Sequence, residues 1–155
     1  MARAVGVGVG VGVGGGVGEG RGSGPRYNPR FLRRKTSMPH AIRFHKTGGP
    51  EVLQWEDVPV PQPGQGEALV RHKAIGLNFI ETYHRSGLYP LPLPSGLGTE
   101  ASGVVEAVGP NVTEVKPGDR VAYCNGPLGA YSEKRNMPAD RLVKLPDGIS
   151  FEQGA

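Results

Sequence analysis

Asn78 and Glu81 stand three residues apart where an extended run gives way to a helical one. An amide at such a junction can cap the helix through its oxygen or meet a ligand, and one end of the amide can serve each purpose. Glu81 completes capping-box spacing, so the pair predicts a helix start at Asn78. The other chemistry-bearing types are sparse. A single cysteine, Cys124, leaves no internal disulfide framework and no multi-cysteine zinc module. Cys124 falls in a strand-like run and reads as a small buried hydrophobe. His40, His45, His72 and His84 show no metal-ligand spacing and read as surface or strand-face residues. Gly10, Gly12 and Gly15 match G-x-G-x-x-G, but that pattern works only between a strand and a helix, and neither flanks it here.

The elements that must hold Asn78 are mostly strands. Ala41–His45 alternates, and Val52–Val58 alternates again after the Thr47-Gly48-Gly49-Pro50 turn. Glu67–Leu77 is the longest strand signal and leads straight into Asn78. Phe79, Ile80 and Tyr83 form the apolar side of the short helix that follows. Residues 87–98 hold three prolines and three glycines between Gly87 and Gly98, and read as loop. Further strands are predicted over Thr99–Gly109, Arg120–Cys124, Ala130–Lys134 and Leu142–Leu145, with a type II turn at Pro117-Gly118. Short strands at such spacing suggest a barrel or sandwich. Ser150 and Gln153 form a second capping box, which predicts a helix that the chain leaves unfinished at Ala155.

Composition divides the 155 residues in two. Residues 1–38 carry 11 of the 26 glycines, and seven Lys/Arg against one acid. Their Val/Gly run is expected to be disordered, because glycine is costly to order and the valines are too few to bury a face. This head imitates a secretory signal, a transit peptide or a basic nucleic-acid arm, each incompletely; otherwise it is an upstream extension before a natural start at Met38. Beyond it the balance is 11 bases to 13 acids, so the overall charge of +4 belongs to the head. The body therefore points to no nucleic acid and no anionic membrane as partner. No run of about 18 apolar residues exists to form a transmembrane helix.

Four stretches then agree in order: Gly76-Leu77-Asn78-Phe79-Ile80-Glu81-Thr82-Tyr83, Arg85-Ser86-Gly87-Leu88-Tyr89-Pro90, Gly98-Thr99-Glu100-Ala101-Ser102-Gly103-Val104-Val105 and Val115-Lys116-Pro117-Gly118-Asp119-Arg120-Val121. From about His40 onward the chain resembles the medium-chain dehydrogenase/reductase superfamily, in the zinc-independent branch of NADPH:quinone oxidoreductases related to zeta-crystallin. The resemblance implies a mainly β fold: a GroES-like, partly open β-barrel with short helices at 39–150, behind the extension at 1–38. It implies that 151–155 begin a helix leading to a Rossmann cofactor domain, which these residues do not supply.

The resemblance also implies the chemistry. Zinc-dependent relatives carry a Cys where this chain has Asn78 and a His where it has Thr99; neither replacement is a plausible zinc ligand. The implied reaction is hydride transfer from NADPH to a quinone or enone without a metal, since such an acceptor is already electrophilic. Asn78, Tyr83 and Arg85 are the implied cofactor contacts, and Tyr83 and Tyr89 the implied catalytic-pocket residues. Alternative roles stay open: the tyrosines as half-buried aromatics, Arg85 as partner of a nearby acid. Glu100 is expected to be a buried, hydrogen-bonded structural acid. The complete protein would be a cytoplasmic homodimer, and the chain alone inactive. An enoyl-type reductase, or a non-catalytic binding or dimerising module, is the alternative.

Overall fold

The computed structural model describes residues 38–155. The disorder expected of the head therefore falls almost wholly outside the described residues. Two antiparallel sheets carry the fold. The first has the order β2-β1-β4, from Gln54–Asp57, His40–Phe44 and Ser95–Gly96. The second has the order β7-β3-β5-β6-β8, from Lys134–Pro138, Glu67–Ile75, Ala101–Val108, Arg120–Tyr123 and Val143–Lys144. Among the described residues one α-helix, α1, spans Ile80–Ser86 between β3 and β4.

A short extended segment joins the sheets. The Ile42 N–H donates to the Tyr131 carbonyl at 2.7 Å and the Glu133 N–H to the His40 carbonyl at 2.9 Å. On its other side the His72 N–H of β3 donates to the Glu133 carbonyl at 2.9 Å. A segment paired on both sides makes the barrel continuous there, while β2 and β8 remain edges. The expected strand at Ala130–Lys134 is thus corrected: it bridges two sheets, and the regular ladder starts at Lys134.

The main core comes from alternation, which sends every second side chain of a strand inward. Ala68 and Val70 of β3, Ala101 and Val105 of β5, Val121 and Tyr123 of β6 and Met137 of β7 meet there. A smaller core of Phe44, Val52 and Leu97 lies under the first sheet, with Tyr131 packed against it. Gly103 shows how close β3 and β5 run: a Cβ there would lie 2.1 Å from the Arg71 carbonyl oxygen. The Pro117-Gly118 turn forms as expected, with Gly118 at φ 93° and the Asp119 N–H donating to Lys116 O at 3.0 Å.

Two further expectations change. Cys124 is exposed rather than buried, because β6 stops at Tyr123 and the chain swings away through Asn125 at φ 51°. At Ser150 both capping-box bonds form, Ser150 N–H to Gln153 Oε1 at 2.9 Å and Gln153 N–H to Ser150 Oγ at 3.2 Å. They close a single turn over Phe151–Gln153 rather than a helix.

Candidate active site

β3 and β5 place Asn78 against an acid. Their antiparallel register ends with Ile75 opposite Ala101, so continuing it one step brings Gly76 opposite Glu100. Glycine matters there: a Cβ on Gly76 would lie 2.1 Å from Glu100 Oε1 and 2.6 Å from its Cδ. The Glu100 carboxylate fills the space a side chain would take. From that position its Oε1 accepts the Asn78 side-chain N–H at 2.7 Å.

This arrangement corrects the cap. The N-cap of α1 is Phe79, and no side chain bonds to the helix start from that position. The Asn78 amide N–H goes to Glu100, and its Oδ1 caps no backbone N–H because the helix starts one residue later, with Phe79 at the N-cap position. Half of the expected box survives: Glu81 reaches back and accepts the Asn78 backbone N–H. That bond suits an acid in a first helical turn. At the other end Gly87, at φ 87°, donates its N–H to the Tyr83 and His84 carbonyls and ends the helix.

The helix also buries an unexpected face. Glu81 is its buried residue, at 4% exposure, whereas Phe79 is 71% exposed and Ile80 38%. Glu81 reaches back to the Asn78 N–H from the buried side, and Phe79 and Ile80 lie on the exposed one. Phe79 and Tyr83 meet edge to face at 5.2 Å between ring centroids, one helical turn apart, and Tyr83 meets Tyr89 at 5.3 Å. Tyr89 arrives by the loop after Gly87, its N–H donating to the Tyr83 carbonyl at 3.2 Å. The three rings form an aromatic row that begins at Phe79, the residue after Asn78.

Of the expected site residues, then, Tyr83 and Tyr89 meet directly, while Asn78, one residue before Phe79, is held by Glu100. Arg85 takes another direction: its guanidinium donates to the Gly48 carbonyl at 3.3 Å, fastening the last turn of α1 to the loop after β1. Thr99 lies in the chain just before Glu100 and makes no side-chain hydrogen bond among the described residues. Among those residues no three of His, Cys, Asp and Glu gather as a metal ion would require. No helix among them is long and apolar enough to cross a membrane.

Phe79, Gly76 and Leu77 are the residues that sequence reasoning missed. Their signal is the alternation Ile75, Leu77, Phe79, all exposed, with Leu77 at 82%. Gly76 and Asn78 fall between them, toward Glu100. The Tyr131 hydroxyl is buried without a hydrogen-bond partner among the described residues. Burial pushes its pKa up, and the negative charges of Glu81 and Glu100 push it further. A concavity of about 380 Å³, lined by Ile42, Trp55, His72, Ile75, Leu77 and Tyr131 among others, opens along β3 and the residues just after it.

Comparison with known proteins gives a consistent result. The profile for "Alcohol dehydrogenase GroES-like domain" matches residues 64–147. The quinone oxidoreductase of Pseudomonas aeruginosa is 60% identical over 119 residues, which are 76% of this chain and 37% of that protein. The 2-haloacrylate reductase of a Burkholderia species is 47% identical over 117 residues, 72% of this chain and 35% of that protein. The crystal structure of Escherichia coli quinone oxidoreductase complexed with NADPH superposes with a TM-score of 0.72 at 56% identity, covering 74% of this chain and 36% of that one. The chain spans little more than a third of the length of these relatives.

Proposed function

The chain belongs to the alcohol dehydrogenase GroES-like domain family, on its quinone oxidoreductase branch, and from that premise we propose that it supplies the barrel wall of a zinc-independent NADPH:quinone oxidoreductase. In this reading residues 39–150 are the GroES-like domain, 1–38 an extension, and 151–155 the lead into a cofactor domain. The observation that carries it is Asn78 just beyond β3, its amide tied to Glu100, followed in the chain by the packed rings of Phe79, Tyr83 and Tyr89. Such a site fits the nicotinamide end of a cofactor: flat apolar faces to exclude water, and one amide to fix orientation. NADPH supplies the hydride when bound. Asn78 would hold the cofactor's nicotinamide end, Phe79, Tyr83 and Tyr89 would line the slot, and the Tyr83 or Tyr89 hydroxyl would donate to the acceptor oxygen. The N–H groups of Arg85 not given to Gly48 would meet a cofactor phosphate.

The whole reductase would be a cytoplasmic homodimer acting on quinones. The Burkholderia relative's name supports a second reading for the acceptor, an alkene activated by a carboxylate and a halogen. The test is a graft: residues 38–155 joined to the remaining part of the Pseudomonas relative, beside the 155-residue chain alone. The graft is expected to oxidise NADPH with a small benzoquinone, and the chain alone to show no saturable turnover, because the anchor for the cofactor's pyrophosphate lies elsewhere. A graft that folds, binds NADPH and reduces 2-chloroacrylate but no quinone would transfer the assignment to the second reading.

A further inference from the structure

Two carboxylates hold Asn78, and they hold different parts of it. Glu81 accepts its backbone N–H, which sets the chain direction into α1. Glu100 accepts its side-chain N–H at 2.7 Å, which sets the amide itself. An ionised carboxylate has only acceptors, so the end of the amide that meets it must be the NH2. Turning the amide over would set Oδ1 against the carboxylate oxygen, a repulsive contact. The polarity of the Asn78 amide is therefore dictated by Glu100.

We propose that Glu100 is a positioning residue that turns the Asn78 Oδ1 outward as a hydrogen-bond acceptor, so that the site selects a ligand group that donates, the N–H of a primary carboxamide. This rests on the reading of Asn78 as the cofactor contact and adds which atom makes that contact. Oδ1 takes no donor among the described residues. A carboxylate behind the amide also polarises it, which strengthens Oδ1 as an acceptor. Gly76 is the third member of the device, since any Cβ there would displace the carboxylate from its place.

The geometry offers two independent ways to break the clamp. Glu100→Leu removes the acceptor. Gly76→Ala leaves Asn78 and Glu100 both present and sets a Cβ 2.1 Å from Glu100 Oε1 and 2.5 Å from its Cγ, so the whole Glu100 side chain must swing away. Glu100→Gln keeps an acceptor, because its side-chain carbonyl can take the same N–H.

The experiment is side-chain amide hydrogen exchange by NMR on the full chain, with the Asn78 resonances identified by their loss in Asn78→Ala. In the native chain one Asn78 amide proton is expected to exchange about tenfold or more slowly than a free asparagine amide. Glu100→Leu and Gly76→Ala are expected to abolish that protection, and Glu100→Gln to retain most of it. Native exchange at the free rate, or protection that survives both Glu100→Leu and Gly76→Ala, would overturn the proposal. The graft separates this from failure of the underlying reading. If Asn78→Ala cripples NADPH turnover while Glu100→Leu changes neither kcat nor KM, the positioning role falls and the cofactor contact stands. If Asn78→Ala leaves turnover intact, both fall.

Discussion

The Tyr123 hydroxyl donates to Nε2 of His72 at 2.9 Å, across the β3–β6 side of the main core. The bond has one direction only, because Nδ1 of His72 faces the Ser132 carbonyl at 2.7 Å and must carry the proton. Burial pushes the Tyr123 pKa up to about 12, and burial likewise lowers that of His72. Both rings are thus held neutral, and the pair fixes the segment that joins the two sheets.

A pH dependence follows from that neutrality. His72 binds its second proton more weakly folded than unfolded, where its pKa is about 6.5. Above that value neither state takes the proton, and the contribution to stability is complete. As pH falls below about 6.5 the unfolded chain is protonated first, so stability declines until the folded-state pKa is passed. Denaturant midpoints measured from neutral to mildly acid pH should fall, and the slope should be shallower in His72→Gln. An unchanged slope in that variant would assign the acid sensitivity to other groups.

The contact of Gly103 with Arg71 predicts a large local cost. Gly103→Ala forces a Cβ to within 2.1 Å of a backbone oxygen in the neighbouring strand. Urea unfolding should show a loss of about 1–3 kcal/mol or more, as overpacking does. Gly148→Ala meets nothing within 4 Å and serves as the neutral control.

Much of this was legible beforehand, and what was not has a common cause. Alternation marked β1, and the apolar strand signals at Glu67–Leu77, Thr99–Gly109 and Arg120–Cys124 marked β3, β5 and β6, each of which contributes buried residues. The segment at Ala130–Lys134 misled because its alternation serves two sheets, pairing with β1 and β3 at once. Asn78 was readable as important but not as to its partner: Glu100 lies 22 residues away and reaches it only through the β3–β5 register. Spacing reports local bonds, so it found Glu81 and could not find Glu100. The outward apolar side of α1 misled for the reverse reason, since periodicity shows that a stripe exists and not what covers it.

Arg120 should control the end of the described chain. Its guanidinium donates to the carbonyls of Pro146, Asp147 and Ile149, and lies 4.7 Å from the centre of the Phe151 ring. Arg120→Ala should raise backbone hydrogen exchange over residues 146–153 and lower stability by about 1–2 kcal/mol. Exchange confined to β6 itself would show that the loop is held by Ser102, whose hydroxyl donates to the Phe151 carbonyl.

Zinc binding should be absent on the chemistry of the donors. An amide at Asn78, already engaged by Glu100, and a hydroxyl at Thr99 are poor ligands for zinc. Elemental analysis of the purified, tag-free chain should find well under one zinc per chain. Stoichiometric zinc surviving dialysis would return the chain to the metal-dependent branch of its family.

The central claim is that Asn78 and the aromatic row form one wall of a hydride-transfer slot. Its most direct measurement is the single-turnover rate of NADPH oxidation by a quinone in the grafted protein, with and without deuterium at the transferred position. The expected result is a rate that falls about tenfold or more in Asn78→Ala and in Tyr83→Ala, with a primary isotope effect in each, because misplacing donor and acceptor carbons from their roughly 3–3.5 Å approach slows the transfer itself. Equal rates and equal isotope effects in the parent graft and both variants would contradict it, and would put the reacting wall somewhere other than the end of β3 and α1.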